Sequence, residues 1–393
     1  MLLRGNENWW RPALAALIAY IAWFDETTIW LLTLLPTVFL AGSSRRWAFI
    51  SAMSYYLMFG RDIPEIVATF FGEGYAILGW ALWIAHGVLI SLPWAIISVH
   101  SSWLRFCYAT SLSLMLLTIP PLGLVHWASP LLSAGLFPAQ GYMAFVLALL
   151  LMCLPTSLYI IGRKLLAAWA IGAFACISMM TQGIQSKPTP PNWVGINTKI
   201  GAFNYMNPEK TVENLMTTMR EVEMEINRGS KVIVLPESIL GPWRSSLSVG
   251  MAYGISLAKE RGAIIVLGTD LPVPGGGYVN GLITKGKTET MLTGARVPIP
   301  IGTWMPWRTN GALSNIWASD RVEIEDVSAA VSICYEDMIL WPHRFLFSGE
   351  AEVMLATANQ WSIRSESAIR AQKLSRLLLA KIGGVSVVSA TNR

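Results

Sequence analysis

The chain has 393 residues, of which 53% are hydrophobic and 13% charged, about half the charged share of an ordinary globular domain. The deficit is local, with 14 charged residues in 1–186 and 39 in 187–393, which excludes a single water-soluble domain with a uniform polar surface. The net charge of +5 falls largely beside apolar stretches, where it reads as membrane orientation rather than as a nucleic-acid footprint. No direct nucleic-acid binding is expected.

Seven apolar runs follow one another at 10–24, 27–42, 47–60, 75–99, 104–124, 142–161 and 165–180. A membrane span needs about 20 residues, so the first three are short and borrow from their flanks. Arg4 and Arg11, Arg45 and Arg46, Arg105, and Arg163 with Lys164 fall on one side of these runs. Asp25, Glu26, Arg61, Asp62, Glu65 and Glu73 fall on the other. That bias predicts a cytoplasmic amino terminus and, after an odd number of spans, an extracytoplasmic carboxyl-terminal half. His86, His100 and His126 lack metal-ligand spacing, and neither a metal nor a cofactor is expected. Residues 182–192, with Pro188, Pro190 and Pro191, predict a stiff linker. The expected organisation is a membrane domain over 1–181, this linker, and a second domain over 193–393.

In that second half short β-rich runs alternate with amphipathic stretches. Strands are predicted at 194–197, 231–235, 263–269, 327–333, 353–357 and 385–390. Helices are predicted at 208–227, where Val212, Leu215, Met216, Met219, Val222 and Ile226 keep the helical period, and at 368–382. The alternation predicts an α/β domain.

Three polar features sit where such strands end, the usual place for chemistry in α/β folds. Glu237 follows the buried run ending Leu235-Pro236. Partial desolvation there would raise its pKa and make it a better base, although a solvated loop glutamate fits the same pattern. Cys334, the only cysteine after residue 186, closes the 327–333 strand, where it is either a presented nucleophile or an inert buried thiol. Arg296 precedes the loop Val297-Pro298-Ile299-Pro300-Ile301-Gly302. It is either a cation for a developing oxyanion or an ordinary loop arginine.

Taken together, the Leu-Pro-Glu corner, the Pro-x-Gly loop and the strand ending Ile333-Cys334-Tyr335-Glu336 resemble the nitrilase superfamily, whose members use a Glu-Lys-Cys triad. The membrane runs, Phe24-Asp25, Leu35-Pro36, the strand end at 356–361 with the helix after it, and the closing Ala390-Thr391-Asn392 are similar to the apolipoprotein N-acyltransferases. The resemblance implies an αββα sandwich, a general base at Glu237, an acylated nucleophile at Cys334 and a further required acid at Glu336. It also implies a phospholipid acyl donor and an amine on a lipoprotein or other envelope protein as acceptor, in the bacterial inner membrane with the second domain periplasmic. The lysine does not carry over: its place holds Ala295, with Arg296 one residue later as a tentative substitute. Thr303 stands where a glutamate is expected, and Lys285 and Lys287 fall in an expected hairpin. The family chain continues past its Ala-Thr-Asn strand, whereas this one ends at Arg393; either a shorter version of the domain folds or the sequence is truncated. These departures resemble the conjugal-transfer membrane proteins of the TraB type. They leave three functions open: acyl transfer, amide hydrolysis, or an inactive scaffold in a conjugation or envelope assembly.

Overall fold

A computed structural model describes residues 8–96, 102–181, 187–203 and 207–393. Arg4, the end of the fourth apolar run with His100, and residues 182–186 of the expected linker lie outside them. The chain forms two compact units. One comprises Met1–Ser186, Met338–Trp341 and Ile363–Gly384, the other Lys187–Asp337, Pro342–Ser362 and Val385–Arg393.

The first unit is helical. Its elements are α1 (Trp10–Ala22), α2 (Leu35–Leu40), α3 (Arg45–Phe59), α4 (Ile63–Phe71), α5 (Ala76–Ile96), α6 (Trp103–Thr118), α7 (Tyr142–Ile160) and α8 (Lys164–Met180). Proline sets several boundaries. A 3-10 stretch, Ile29–Leu34, gives way to α2 where Pro36 enters the first turn, a position that needs no N–H. Ile119, which precedes Pro120 and Pro121, is extended and ends α6.

Among the described residues two helices are long and apolar enough to cross a membrane, Glu73–Ile96 with 24 residues and Tyr142–Ile160 with 19. Trp10–Ala22, Ile29–Leu40 and Lys164–Met180 are shorter apolar helices. The seven apolar runs therefore correspond to helices of unequal length.

The helix α7 buries Ala144, Ala148, Met152 and Thr156 and turns Met143, Val146, Leu150 and Leu154 outward; Ala148 is 0% exposed and Leu150 61%. Small residues inside let helix backbones approach closely, as they do in lipid.

The Glu366–Gly383 helix packs within this unit although it comes late in the chain. Gly135 lies under Leu378, and a Cβ on Gly135 would stand 2.6 Å from the Leu378 side chain. Ala139 and Gly141 donate their N–H groups to the carbonyls of Lys381 and Ile382, each at 2.9 Å. Lys381 also pairs with Glu26 at 3.1 Å. These contacts explain why the two units do not divide at a single point in the linker.

The second unit is a mixed α/β fold. A five-stranded sheet contains β1 (Trp193–Gly195), β2 (Val232–Val234), β3 (Ile264–Pro272), β4 (Tyr278–Gly286) and β5 (Met291–Gly294), in that spatial order. The first three strands are parallel and the last two antiparallel. A four-stranded sheet contains β6 (Arg321–Ile324), β7 (Val327–Ile333), β8 (Val353–Asn359) and β9 (Ser386–Asn392), again in order. All six predicted strands are present, within three residues at each end. The helix Pro208–Asn227 (α9) links β1 to β2, and Ser245–Gly250 (α10) and Ala252–Glu260 (α11) link β2 to β3.

Side-chain alternation along the strands builds two cores. Val232, Val234, Val266 and Leu282 join Val331, Ile333, Val353 and Leu355 in one cluster, so the two sheets pack face to face. Ile233, Leu235, Ile265 and Leu267 point the other way, against Met219, Val222 and Ile226 of α9 and Ala258 of α11. Strands covered on both faces read as the continuous apolar runs seen in the sequence.

Candidate active site

Two strand ends meet where the layer between the sheets stops being apolar. Glu237 lies three residues beyond β2. It can sit against β3 because residue 268 is glycine: a Cβ there would stand 2.7 Å from both Glu237 Cα and the Pro236 carbonyl oxygen. The next residue, Ser238, has φ 43° and donates its hydroxyl to Asp270 at 2.8 Å. Cys334 ends β7 and opens the 3-10 turn Cys334–Met338. Its φ is 52°, a left-handed conformation that is costly for a residue with a Cβ and that clusters at functional sites.

The structure brings these two side chains together. The Cys334 thiol hydrogen-bonds the Glu237 carboxylate. Glu237 is 8% exposed. Its Oε2 accepts from the backbone N–H of Asn359, at the end of β8, at 3.1 Å, and its Oε1 accepts from Asn280 Nδ2 on β4. Asn359 is held in turn, since its Oδ1 accepts from Asn392 Nδ2 at 2.8 Å. Asn392 Oδ1 receives the Thr198 hydroxyl at 2.8 Å and the Ile200 N–H at 3.0 Å.

Electrostatics separates this carboxylate from an ordinary one. Burial pushes the Glu237 carboxyl up to about 7 against the hydrogen bonds from Cys334 and Asn280, and the negative charge of Asp270 raises it further. Burial also pushes the Cys334 thiol up, followed by the charge and hydrogen bond of Glu237, while the Asn359 N–H pulls the other way. The most influential charged neighbours, Asp270 and Asp337, are acidic. Near neutral pH the pair therefore holds a thiol beside a carboxyl that is about half ionised. That is a base able to take the thiol proton during attack, rather than a preformed thiolate.

Arg296 and Glu336 form a second buried centre. Both side chains are fully buried and ion-paired. Arg296 Nη2 also donates to the Val331 carbonyl at 2.6 Å. Glu336 Oε1 accepts the N–H groups of Arg296 at 2.6 Å and Val297 at 3.0 Å, and its Oε2 accepts that of Ile333 at 2.9 Å. Glu336 thus ties the 296–297 loop to the end of β7, and so sets the position of the Cys334 turn. Arg296 was expected to offer its charge to the thiol's cleft; the hydrogen bonds of its guanidinium run instead to Glu336 and Val331. Its Nε and Nη1 are buried without a partner.

Lys285 and Lys287 are in the β4–β5 hairpin region, as expected, and pair with Glu289 and Glu325 rather than with Glu237. Thr303 holds the place of the expected glutamate, with its hydroxyl buried and unpaired. Among the described residues no group of three or more His, Cys, Asp or Glu side chains is arranged to hold a metal.

Sequence reasoning missed Asn280 and the Asn359 N–H. Asn280-Gly281 carries a turn signal that hides a strand position. Pro274 and the three glycines after it were the better turn marker, and they would have placed β4 directly behind them.

No family model matches the chain. By sequence it is similar, over nearly its whole length, to proteins named TraB. One, "Conjugal transfer protein TraB" of Agrobacterium fabrum, is 28% identical, with 99% of this chain and 94% of that protein covered. Another, "Probable conjugal transfer protein TraB" of Sinorhizobium fredii, is 26% identical, with 91% and 90% covered. The structural neighbours are nitrilase-superfamily carbon-nitrogen hydrolases. A carbon-nitrogen hydrolase from Helicobacter pylori is 11% identical with a TM-score of 0.38, covering 51% of this chain and 72% of its own. An amidase of the nitrilase superfamily from Nesterenkonia is 12% identical with a TM-score of 0.36, covering 52% and 78%.

Proposed function

We propose that the second unit is a nitrilase-like αββα domain that forms a thioester on Cys334 and passes the acyl group to an amine. The buried, hydrogen-bonded Glu237–Cys334 pair at two strand ends carries this reading. Glu237 takes the thiol proton as sulfur attacks an ester carbonyl of a membrane phospholipid. The tetrahedral intermediate collapses to the thioester, and the departing alkoxide receives that proton as the alcohol. An amine on a lipoprotein or other envelope protein then attacks the thioester. Glu237 takes a proton from the amine and returns it to the leaving thiolate, which yields an amide and the free thiol. Water in place of the amine would make the protein a hydrolase.

The first unit is read as a multi-pass inner-membrane domain of about seven spans, with its amino terminus cytoplasmic and the second unit periplasmic. Supporting this are the two long apolar helices, the small-inside packing of α7 and the basic residues on alternate connections. The proteins named for conjugal transfer support a role for this chain in plasmid transfer.

A competing reading is a catalytically silent scaffold in a conjugation or envelope assembly. It draws on Ala295 in the lysine position and on the engagement of Arg296 with Glu336. The deciding experiment is intact-mass analysis of the full chain, purified from membranes and incubated with phospholipid vesicles across pH. A covalent acyl adduct absent from Cys334→Ala, and forming faster as pH rises through about 7, is expected. No adduct at any pH would favour the scaffold.

A further inference from the structure

We propose that Asn280 is the positioning residue of this site: its neutral amide holds Glu237 toward the Cys334 thiol in the place where a lysine ammonium is expected. The inference rests on the thioester reading and specifies how the base works without a cation.

Register places the residues. Asp270 of β3 and Asn280 of β4 are direct cross-strand partners. Gly281 is partnered with Gly294, and the Ala295 N–H donates to the Asn280 carbonyl at 2.7 Å, so Ala295 stands opposite Asn280 one step further. Residues directly opposite on antiparallel strands project from the same face. Asp270, Asn280 and Ala295 thus make one row across three chain segments. That row continues the face on which Val266 and Leu282 meet the second sheet. A lysine in place of Ala295 would rise beside Asn280. The alanine methyl carries no group that could bond the carboxylate, and the neighbouring amide bonds Glu237 instead.

The hydrogen-bonding balance of Asn280 supports a role at the site over a role in packing. The side chain is 7% exposed; its donor goes to Glu237, while its Oδ1 is buried without a partner. A structural asparagine in a core normally satisfies both ends. Here the side-chain bond formed is to the carboxylate proposed as the base.

Exchanging an ammonium for an amide changes the chemistry in a definite direction. A cation beside a carboxylate favours ionisation strongly, whereas a neutral donor favours it weakly. The groups facing Glu237 are the Cys334 thiol from β7, Asp270 from β3, the Asn280 amide from β4 and the Asn359 N–H from β8. With none of them positive, the base titrates within the physiological range, and its midpoint depends on the amide.

The test uses the full chain in micelles and two readouts. The first is the protonated-carboxyl infrared band of Glu237, assigned by its loss in Glu237→Gln and followed against pH. Wild type should titrate near 7. Asn280→Ala should titrate about one unit higher, and Asn280→Ala with Ala295→Lys should titrate below wild type. The second readout is the rate of acyl-adduct formation on Cys334 with phospholipid vesicles. At pH 7 Asn280→Ala should be about fivefold slower, because a one-unit rise takes the ionised fraction from about a half to about a tenth. Its rate should recover at higher pH, and the lysine double variant should recover it at pH 7. A purely structural role would not move the midpoint or allow rescue. An unchanged midpoint in Asn280→Ala, or no downward shift with the added lysine, overturns the inference. If Asn280→Ala does not fold, the single variant Ala295→Lys decides: an unchanged Glu237 midpoint there overturns the inference equally. Shifted midpoints with no adduct in wild type would overturn the thioester reading and with it Asn280's part in catalysis, leaving the amide contact alone.

Discussion

Glu237 and Glu336 are both buried glutamates of the second unit, the first bonded to the Cys334 thiol and the second within the Cys334 turn. Their surroundings differ. Glu336 faces a guanidinium and three backbone N–H groups, so its charge is matched and its geometry fixed. Glu237 faces a thiol, an amide and one backbone N–H, with an aspartate nearby. Burial alone therefore does not mark a reactive group. A buried carboxylate with a cation becomes a brace, while one with only neutral donors keeps a proton affinity near neutrality and can exchange it.

The largest effect that would break this comparison concerns the brace. Arg296→Ala leaves Glu336 charged and buried without its cation, which should cost about 3–5 kcal/mol. Replacing both members, with Arg296→Met and Glu336→Gln, removes the unpaired charge while the amide oxygen still accepts backbone N–H groups, and should recover part of that loss. Denaturant unfolding of the full chain in micelles measures it. If Arg296→Ala is as stable as wild type, Arg296 is not a brace.

Glu237→Gln should act in the opposite direction. The folded-state pKa of about 7 lies above the ordinary 4.5. The stability tied to the protonated carboxyl is therefore complete below about 4.5 and lost as pH rises through about 7. A glutamine is neutral throughout, so the variant should gain on wild type between these values and keep the gain above them. The shift corresponds to about 3 kcal/mol at most, less whatever the amide loses opposite the Asn359 N–H. Unfolding series at pH 5 and pH 8 would detect it, and equal differences at the two pH values would contradict the assignment. The same variant should lose acyl-adduct formation, trading stability against function.

The smallest effect belongs to an exposed pair. Lys287 and Glu325 meet at the surface, and Lys287→Ala should change stability by less than about 1 kcal/mol. A loss as large as that of Arg296→Ala would mean that solvent exposure is not what separates the two ion pairs.

Sequence by itself located β1, β2, β3, β7, β8, β9 and the two long helices of the second half, because apolar alternation and helical periodicity are local properties; it did not mark β4, β5, β6, α10 or α11. It also singled out Glu237 and Cys334, since a polar residue directly after a buried run is visible in one dimension. In the first half it located the apolar stretches, but not where prolines and 3-10 turns cut them into helices of unequal length. Tertiary structure alone decided the partners. Asn280 is 43 positions from Glu237, and Asn359 is 122. The contacts of Arg296 with Val331 and Glu336 cross 35 and 40 positions. The Glu366–Gly383 helix likewise joined the helical unit through contacts with residues near 26 and 135–141. A charge, an amide or an alanine has a role only through what register and sheet packing set beside it, and those distances are closed only in the folded chain.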